Sequence, residues 1–269
     1  MIIDFHTHIF PDRIAERAIS VLEGNIEKVQ GTPAHAVIPA TLSALKGSMR
    51  SNHIDISVVL PIATSVTQSA SINSFAANIN GTDGIISFGS LHPMQEDWEE
   101  TLYDIKEKGL PGIKLHPEYQ GFYIDSDESV RILKKCEELG LLVTLHTGND
   151  AGVKPPVHCM PDRLRRVLDK VSGENIIAAH LGGWDAWDDV EKYLVGTPIF
   201  LDTAFVISNI EREQLLRIFK NHGYDKILFA TDSPWDAQGD TVRYLSEVGI
   251  GEEDLNKIFS GNAKRLLKL

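Results

Sequence analysis

The chain has 269 residues, 42% of them hydrophobic and 24% charged, which points to a folded globular protein with a large core. A formal net charge of −12, with lysines and arginines scattered beside acidic residues, argues against nucleic acid and anionic membranes as partners. No apolar run approaches the ~20 residues of a membrane span. The two cysteines, Cys136 and Cys159, exclude a disulfide framework, so a cytoplasmic protein acting on a small molecule is expected. Assembly into a homo-oligomer stays open at this point.

The first segment, Met1-Ile2-Ile3-Asp4-Phe5-His6-Thr7-His8, reads as a strand over 2–6 that ends in two histidines two apart. Residues i and i+2 of a strand share a face, so His6 and His8 leave it side by side. Paired imidazoles suit zinc, iron, nickel or copper better than magnesium or calcium. A helix over 11–22 follows, then a looser tract to Pro39. Short β-branched runs mark further strands at 54–60, 85–91, 111–116, 141–146, 175–180, 198–202 and 226–232.

Helices fall between them, with legible ends. The stretch 127–139 stops at Gly140 and carries Cys136 in its apolar series with Val130 and Leu133, so that thiol is expected in the core. The stretch 161–172 starts at Pro161 and repeats Leu164, Val167, Leu168 and Val171 before Gly173. The stretch 208–222 opens with the capping-box pattern Ser208-x-x-Glu211 and closes at Gly223.

Eight strands alternating with helices, with no linker between them, predict one α/β domain over 1–269 built as a closed (β/α)₈ TIM barrel. An open doubly wound sheet is disfavoured, because no glycine-rich phosphate loop follows the first strand. The connections 9–40 and 147–160 are longer than the fold requires. Both follow the C-terminal ends of strands, where a barrel keeps its active site.

Polar residues collect at those same ends. His6 and His8 close the first strand, Lys114 and His116 the fourth, His146 the fifth, His180 the sixth and Asp232 the eighth. Trp184, Trp235, Tyr119, Phe122 and Tyr123 fall in post-strand loops, where they could wall a planar pocket or simply pack. His35, His53, His92 and His222 have no converging partners and read as structural or surface residues. Lys114 and His116 compete for one strand end with Pro117 next, so His116 is open between an inward and an outward side chain.

In order, Asp4-x-His6-x-His8, Gly-Ile-Lys-Leu-His-Pro at 112–117, Leu-His-Thr-Gly at 145–148, Ala-His-Leu-Gly-Gly-Trp at 179–184 and Ala-Thr-Asp-Ser-Pro-Trp at 230–235 form a specific set. With it the chain resembles the amidohydrolase superfamily, in the branch that contains aminocarboxymuconate-semialdehyde decarboxylase and related metal-dependent hydrolases. The resemblance implies a distorted (β/α)₈ barrel and one divalent metal, usually zinc, held by His6, His8, His146 and Asp232. It also implies a catalytic role for His180 outside the metal's ligands, with Asp232 handling a proton. Lys114 is expected to meet a substrate carboxylate or an internal acid, the alternative being a carboxylated bridge between two metals.

Three imidazoles and a carboxylate leave a metal room for water and can bring that water's pKa down to about 7. Hydrolysis of a small ester, lactone or amide is therefore the expected reaction, and non-oxidative decarboxylation of a small acid the alternative. The choice rests on a negative. A decarboxylase is expected to hold its substrate's carboxylate with a dedicated cation, and no arginine adjoins a strand-end motif. The nearest are Arg13, with Lys114 and Lys154 as the remaining cations.

Overall fold

The first strand runs between its neighbours and is held by them on both edges. In the computed structural model, which describes residues 1–269, β1 (Ile3–Thr7) pairs with β2 (Ile56–Val59), and β2 with β3 (Ile85–Ser87). The third barrel position breaks at Phe88 and resumes as β4 (Gly89–Ser90), which pairs with β5 (Gly112–Leu115). The series continues through β6 (Leu142–Leu145), β7 (Ile176–Ala178), β8 (Phe200–Asp202) and β9 (Ile227–Leu228), each parallel to the next. Phe88 N still donates to Val59 O at 2.9 Å, so the break is local.

Closure is made by backbone hydrogen bonds between the first and last strands. Phe5 N donates to Phe229 O at 2.9 Å, Asp232 N to His6 O at 2.9 Å, and Thr7 bridges Ser233 in parallel. The expected eight-position parallel barrel is the observed fold. The fully buried Asp4 carboxylate reinforces the seam by accepting from Thr231 Oγ1 at 2.6 Å and Gln238 Nε2 at 2.7 Å.

Helices fill the connections: α1 (Asp12–Gln30), α2 (Leu42–Ser51), α3 (Ser69–Ile79), α4 (Trp98–Glu107), α5 (Pro117–Gln120) and α6 (Asp127–Leu139). After them come α7 (Pro161–Val167), α8 (Trp187–Tyr193), α9 (Arg212–His222), α10 (Gln238–Glu247), α11 (Glu252–Asn256) and α12 (Asn262–Leu267). The apolar series of α6 buries Val130, Leu133 and Cys136, as its spacing predicts. One cluster joins such helix faces to the sheet, and a second packs Ile3, Phe5, Val58, Phe88 and Leu228 together.

Three helix ends differ from expectation. α1 continues through Gly24 and Asn25, both weak helix formers, to Gly31, whose φ of 74° ends it in the left-handed region. α9 starts at Arg212 with no side-chain cap, because Ser208 is caught in a turn in which Ile210 N donates to Val206 O. α7 ends at Val167, five residues before the expected stop at 172.

Candidate metal centre and active-site cavity

The end of β1 and the turn after β9 bring three donor atoms to one corner. His6 Nε2, His8 Nε2 and Asp232 Oδ1 lie 3.1 Å (His6–His8), 3.4 Å (His6–Asp232) and 3.1 Å (His8–Asp232) apart. Donors about 2.0–2.2 Å from one metal are separated by roughly 3.0–3.5 Å, so this triangle fits a shared ion. Asp232 reaches it from a left-handed backbone, φ 65°, which is unusual for a residue other than glycine. The hydrogen bond from its own N–H to His6 O holds that turn against β1.

The other ring nitrogens explain why the corner needs a cation. His6 Nδ1 donates to Asp202 Oδ2 at 2.8 Å, and His8 Nδ1 donates to Leu60 O at 2.9 Å. With both protons placed there, both Nε2 atoms present bare lone pairs that converge on a carboxylate oxygen. Protonating His6 is not an escape: burial, then the Lys114 charge, push its pKa well below the ordinary value. Burial pushes the Asp232 carboxyl up, but the neighbouring His8, then His180 and Lys114, outweigh that and hold its pKa below the ordinary value. A divalent cation satisfies all three groups at once.

His146 and His180 repeat the pattern nearby. His146 Nε2 donates to Asn149 O at 3.0 Å and His180 Nδ1 donates to Ala204 O at 2.8 Å, which leaves His146 Nδ1 and His180 Nε2 facing each other 3.0 Å apart. The two free lone pairs open onto the same cavity as the first three donors. His180 sits at φ 57° in a turn after β7, two residues beyond the strand, with its N–H donating to Asp202 Oδ1. Asp202 thus holds both His6 and His180. Burial pushes its carboxyl up to about 7, against the pull of Lys114 and of the backbone N–H groups of His180 and Ala204.

His146 belongs, by proximity of donor atoms, to a second set with His116 and Asp150 rather than to the His6–His8–Asp232 triangle. The His116 and His146 rings stack, 4.1 Å between centroids and 12° between planes. His116 Nε2 lies 3.3 Å from Asp150 Oδ2. Lys114 and His116 are both buried and both line the cavity, so the crowding expected from Pro117 does not occur; Pro117 begins α5, whose Tyr119 lines the cavity too. Lys114, 1% exposed, has Nζ 3.2 Å from His6 Nε2. Burial lowers its pKa to about 8, opposed by Asp202, Asp232 and Asp150.

The loop after β6 builds one wall. Gly148, at φ 83°, donates its N–H to Cys159 O, and a Cβ there would lie 2.2 Å from Trp184 N. This close approach straps 147–149 to the turn after His180. The cavity above the donors measures about 1090 Å³. Tyr119, Trp184 and Trp235 line it; Phe122 and Tyr123 do not. Arg13 and Arg17 line it from α1, whereas Lys154 does not reach it. Of the histidines read as structural, His222 is held by Ile199 O at 2.9 Å, while His35 lies at the cavity's exposed rim. Asp202, Asp150 and Phe205 are site residues that sequence reasoning passed over; the isolated carboxylate ending Ile-Phe-Leu-Asp at 199–202 was the available signal for the first.

A model of the amidohydrolase family matches residues 3–269. The chain belongs to the amidohydrolase family. It is thereby an enzyme of a family whose barrel the structure reproduces over the whole chain. A search of curated proteins finds no match. Among solved structures, it is similar to a TIM-barrel protein from Bordetella bronchiseptica described as uncharacterized, at 19% identity and a TM-score of 0.75, covering 99% of this chain and 98% of that one. It is similar to 2,6-dihydroxybenzoate decarboxylase from Rhizobium, at 16% identity and a TM-score of 0.68 over 99% of this chain and 98% of that one. It is also similar to 5-carboxyvanillate decarboxylase from Novosphingobium aromaticivorans, solved with manganese and 4-hydroxy-3-methoxy-5-nitrobenzoic acid. There the identity is 16% and the TM-score 0.74, over 100% of this chain and 96% of that one.

Proposed function

We propose that this amidohydrolase-family protein is a metal-dependent, non-oxidative decarboxylase of a small carboxylic acid with a planar head. The observation that carries the reading is Lys114, a buried lysine whose Nζ lies 3.2 Å from His6 Nε2 in the cavity that also holds the metal donors. A cation in that place favours an anionic substrate over a neutral ester or lactone. The sequence premise that favours hydrolysis is the lack of an arginine beside a strand-end motif; Arg13 and Arg17 do line the cavity, from α1. Two of the similar structures reported above are decarboxylases of ring acids, which supports the same class.

In this reading His6, His8 and Asp232 hold the metal, and His146 offers its Nδ1 from the adjoining cluster as a fourth donor. Bound there, a divalent cation supplies Lewis acidity and a charge that anchors a carboxylate, and zinc and manganese both suit these donors. Lys114 holds a second oxygen of the acid. The reacting ring carbon takes a proton, the carbon–carbon bond to the carboxylate breaks, its electron pair returns to the ring, and carbon dioxide leaves. His180 Nε2, with no proton of its own, is placed to pass that proton from solvent to the carbon. Trp184, Trp235 and Phe205 provide apolar walls for the planar head.

The test is to offer zinc- and manganese-loaded protein matched sets: 2-hydroxybenzoate and 2,6-dihydroxybenzoate beside aryl esters and cyclic lactones. Carbon dioxide release from the acids supports the reading. Hydrolysis of the neutral set without carbon dioxide release would return the protein to the hydrolases.

A further inference from the structure

The longest helix is almost unpartnered. α1 runs for 19 residues, yet only Ala15 is buried. Ile14, Ala18, Val21, Leu22 and Ile26 recur at helical spacing, about 18 Å along the axis from first to last at 1.5 Å per residue. This apolar stripe faces the active-site cavity. Ile14 is 43% and Val21 55% exposed, high values for an aliphatic stripe on a helix of this length. Ile72 and Phe75 of α3 line the cavity as well, beside the polar Ser71, Ser74 and Asn78 of the same helix, with Ile62 between β2 and α3.

The cavity is continuous from His6, His8 and Asp232 to this stripe. Its volume of about 1090 Å³ lies at the upper end of pockets that enclose drug-sized ligands, typically ~300–1,000 Å³. A one-ring acid seated against the metal donors would leave most of it, and the whole stripe, in contact with water. Exposed aliphatic surface continuous with a catalytic cavity is available to the substrate.

Building on the decarboxylase reading, we infer that the substrate is an amphipathic acid: a carboxylate-bearing planar head at the histidines and an unbranched apolar arm lying along α1. The arm is the occupant of the groove between α1 and α3. Burial of each methylene against such walls strengthens binding by up to about fourfold.

The probes are 2-hydroxybenzoate and its 4-butyl and 4-octyl derivatives, titrated calorimetrically into zinc-loaded protein. The expected result is affinity that rises along the series, with the octyl acid at least about 100-fold tighter than the parent. In an Ile14→Asp/Val21→Asp variant that advantage should fall to less than about tenfold. Both positions are largely exposed, so the variant should keep its circular dichroism spectrum and its metal content. Affinity independent of chain length would overturn the inference. So would a dimer that the double variant dissociates without any chain-length effect, since the stripe would then belong to a second copy. Chain-length-dependent binding supports the inference whether or not carbon dioxide appears; its release from the parent acid separately decides the decarboxylase reading.

Discussion

Two histidine clusters share the barrel mouth, and they differ in where their protons are fixed. At His6, His8 and Asp232, both Nδ1 atoms donate outward, to Asp202 and to Leu60 O, so the inward atoms are three acceptors with no proton among them. At His116, His146 and Asp150, the rings stack and the near-facing atoms have protein partners: His146 Nε2 donates to Asn149 O, and His116 Nε2 lies against Asp150. In the first cluster Lys114 Nζ meets His6 Nε2, while His8 Nε2 and Asp232 Oδ1 face each other with no proton between them. The second is largely satisfied by the protein itself. The same residue types at the same depth therefore carry different chemistry, and the difference is set by the partners of the far ring nitrogens.

The sharpest way to break that comparison is to remove a converging donor. His6→Ala should lose bound metal together with activity, leaving turnover at background in a protein that still folds. Metal retained at full occupancy would show that the corner is not the site. The next largest effect separates binding from proton transfer: His180→Ala should keep the metal and lose about 10²–10⁴ in turnover, measured on metal-reconstituted protein. A metal-free His180→Ala protein would make that residue a ligand.

Asp202 sharpens the comparison from behind, because it fixes the His6 tautomer from outside the donor triangle. Asp202→Asn should weaken metal affinity about 10–100-fold, read by competition with a chelator, while His116→Ala should change it by less than that. Equal losses in the two variants would erase the distinction between the clusters.

The smallest effect is on stability. Glu118, next to the second cluster, has Oε2 buried without a hydrogen-bond partner, and burial raises its pKa from 4.5 to about 7. A raised carboxyl pKa contributes stability below pH 4.5 that is lost as pH rises through about 7. Glu118→Gln should therefore match the parent Tm near pH 4.5 and exceed it by roughly 2–6 °C above pH 7, by scanning calorimetry at both pH values. A Tm difference that does not change with pH would contradict the assignment.

The barrel was legible because each strand is a short β-branched run between helices with visible stops; every expected span but the first contains its observed strand, and β1 runs one residue past 2–6 to Thr7. The donors at strand ends were legible for a simpler reason, that histidine and aspartate are costly in a core and recur at one end only. What escaped the sequence depends on contacts between distant segments. The hold of Asp202 on His6 spans 196 residues, and the left-handed turns at His180 and Asp232 depend on packing that no local pattern encodes. The full length of α1 was hidden because Gly24-Asn25 suggests a break that the structure does not make.

The central claim is that one corner of the mouth holds a divalent cation and the other does not. Metal-stripped protein titrated with zinc and manganese, and assayed by elemental analysis after gel filtration, tests it directly. The account predicts one ion per chain in the parent and in His116→Ala, and none in His8→Ala. Two ions per chain, or one ion kept in His8→Ala, would contradict it.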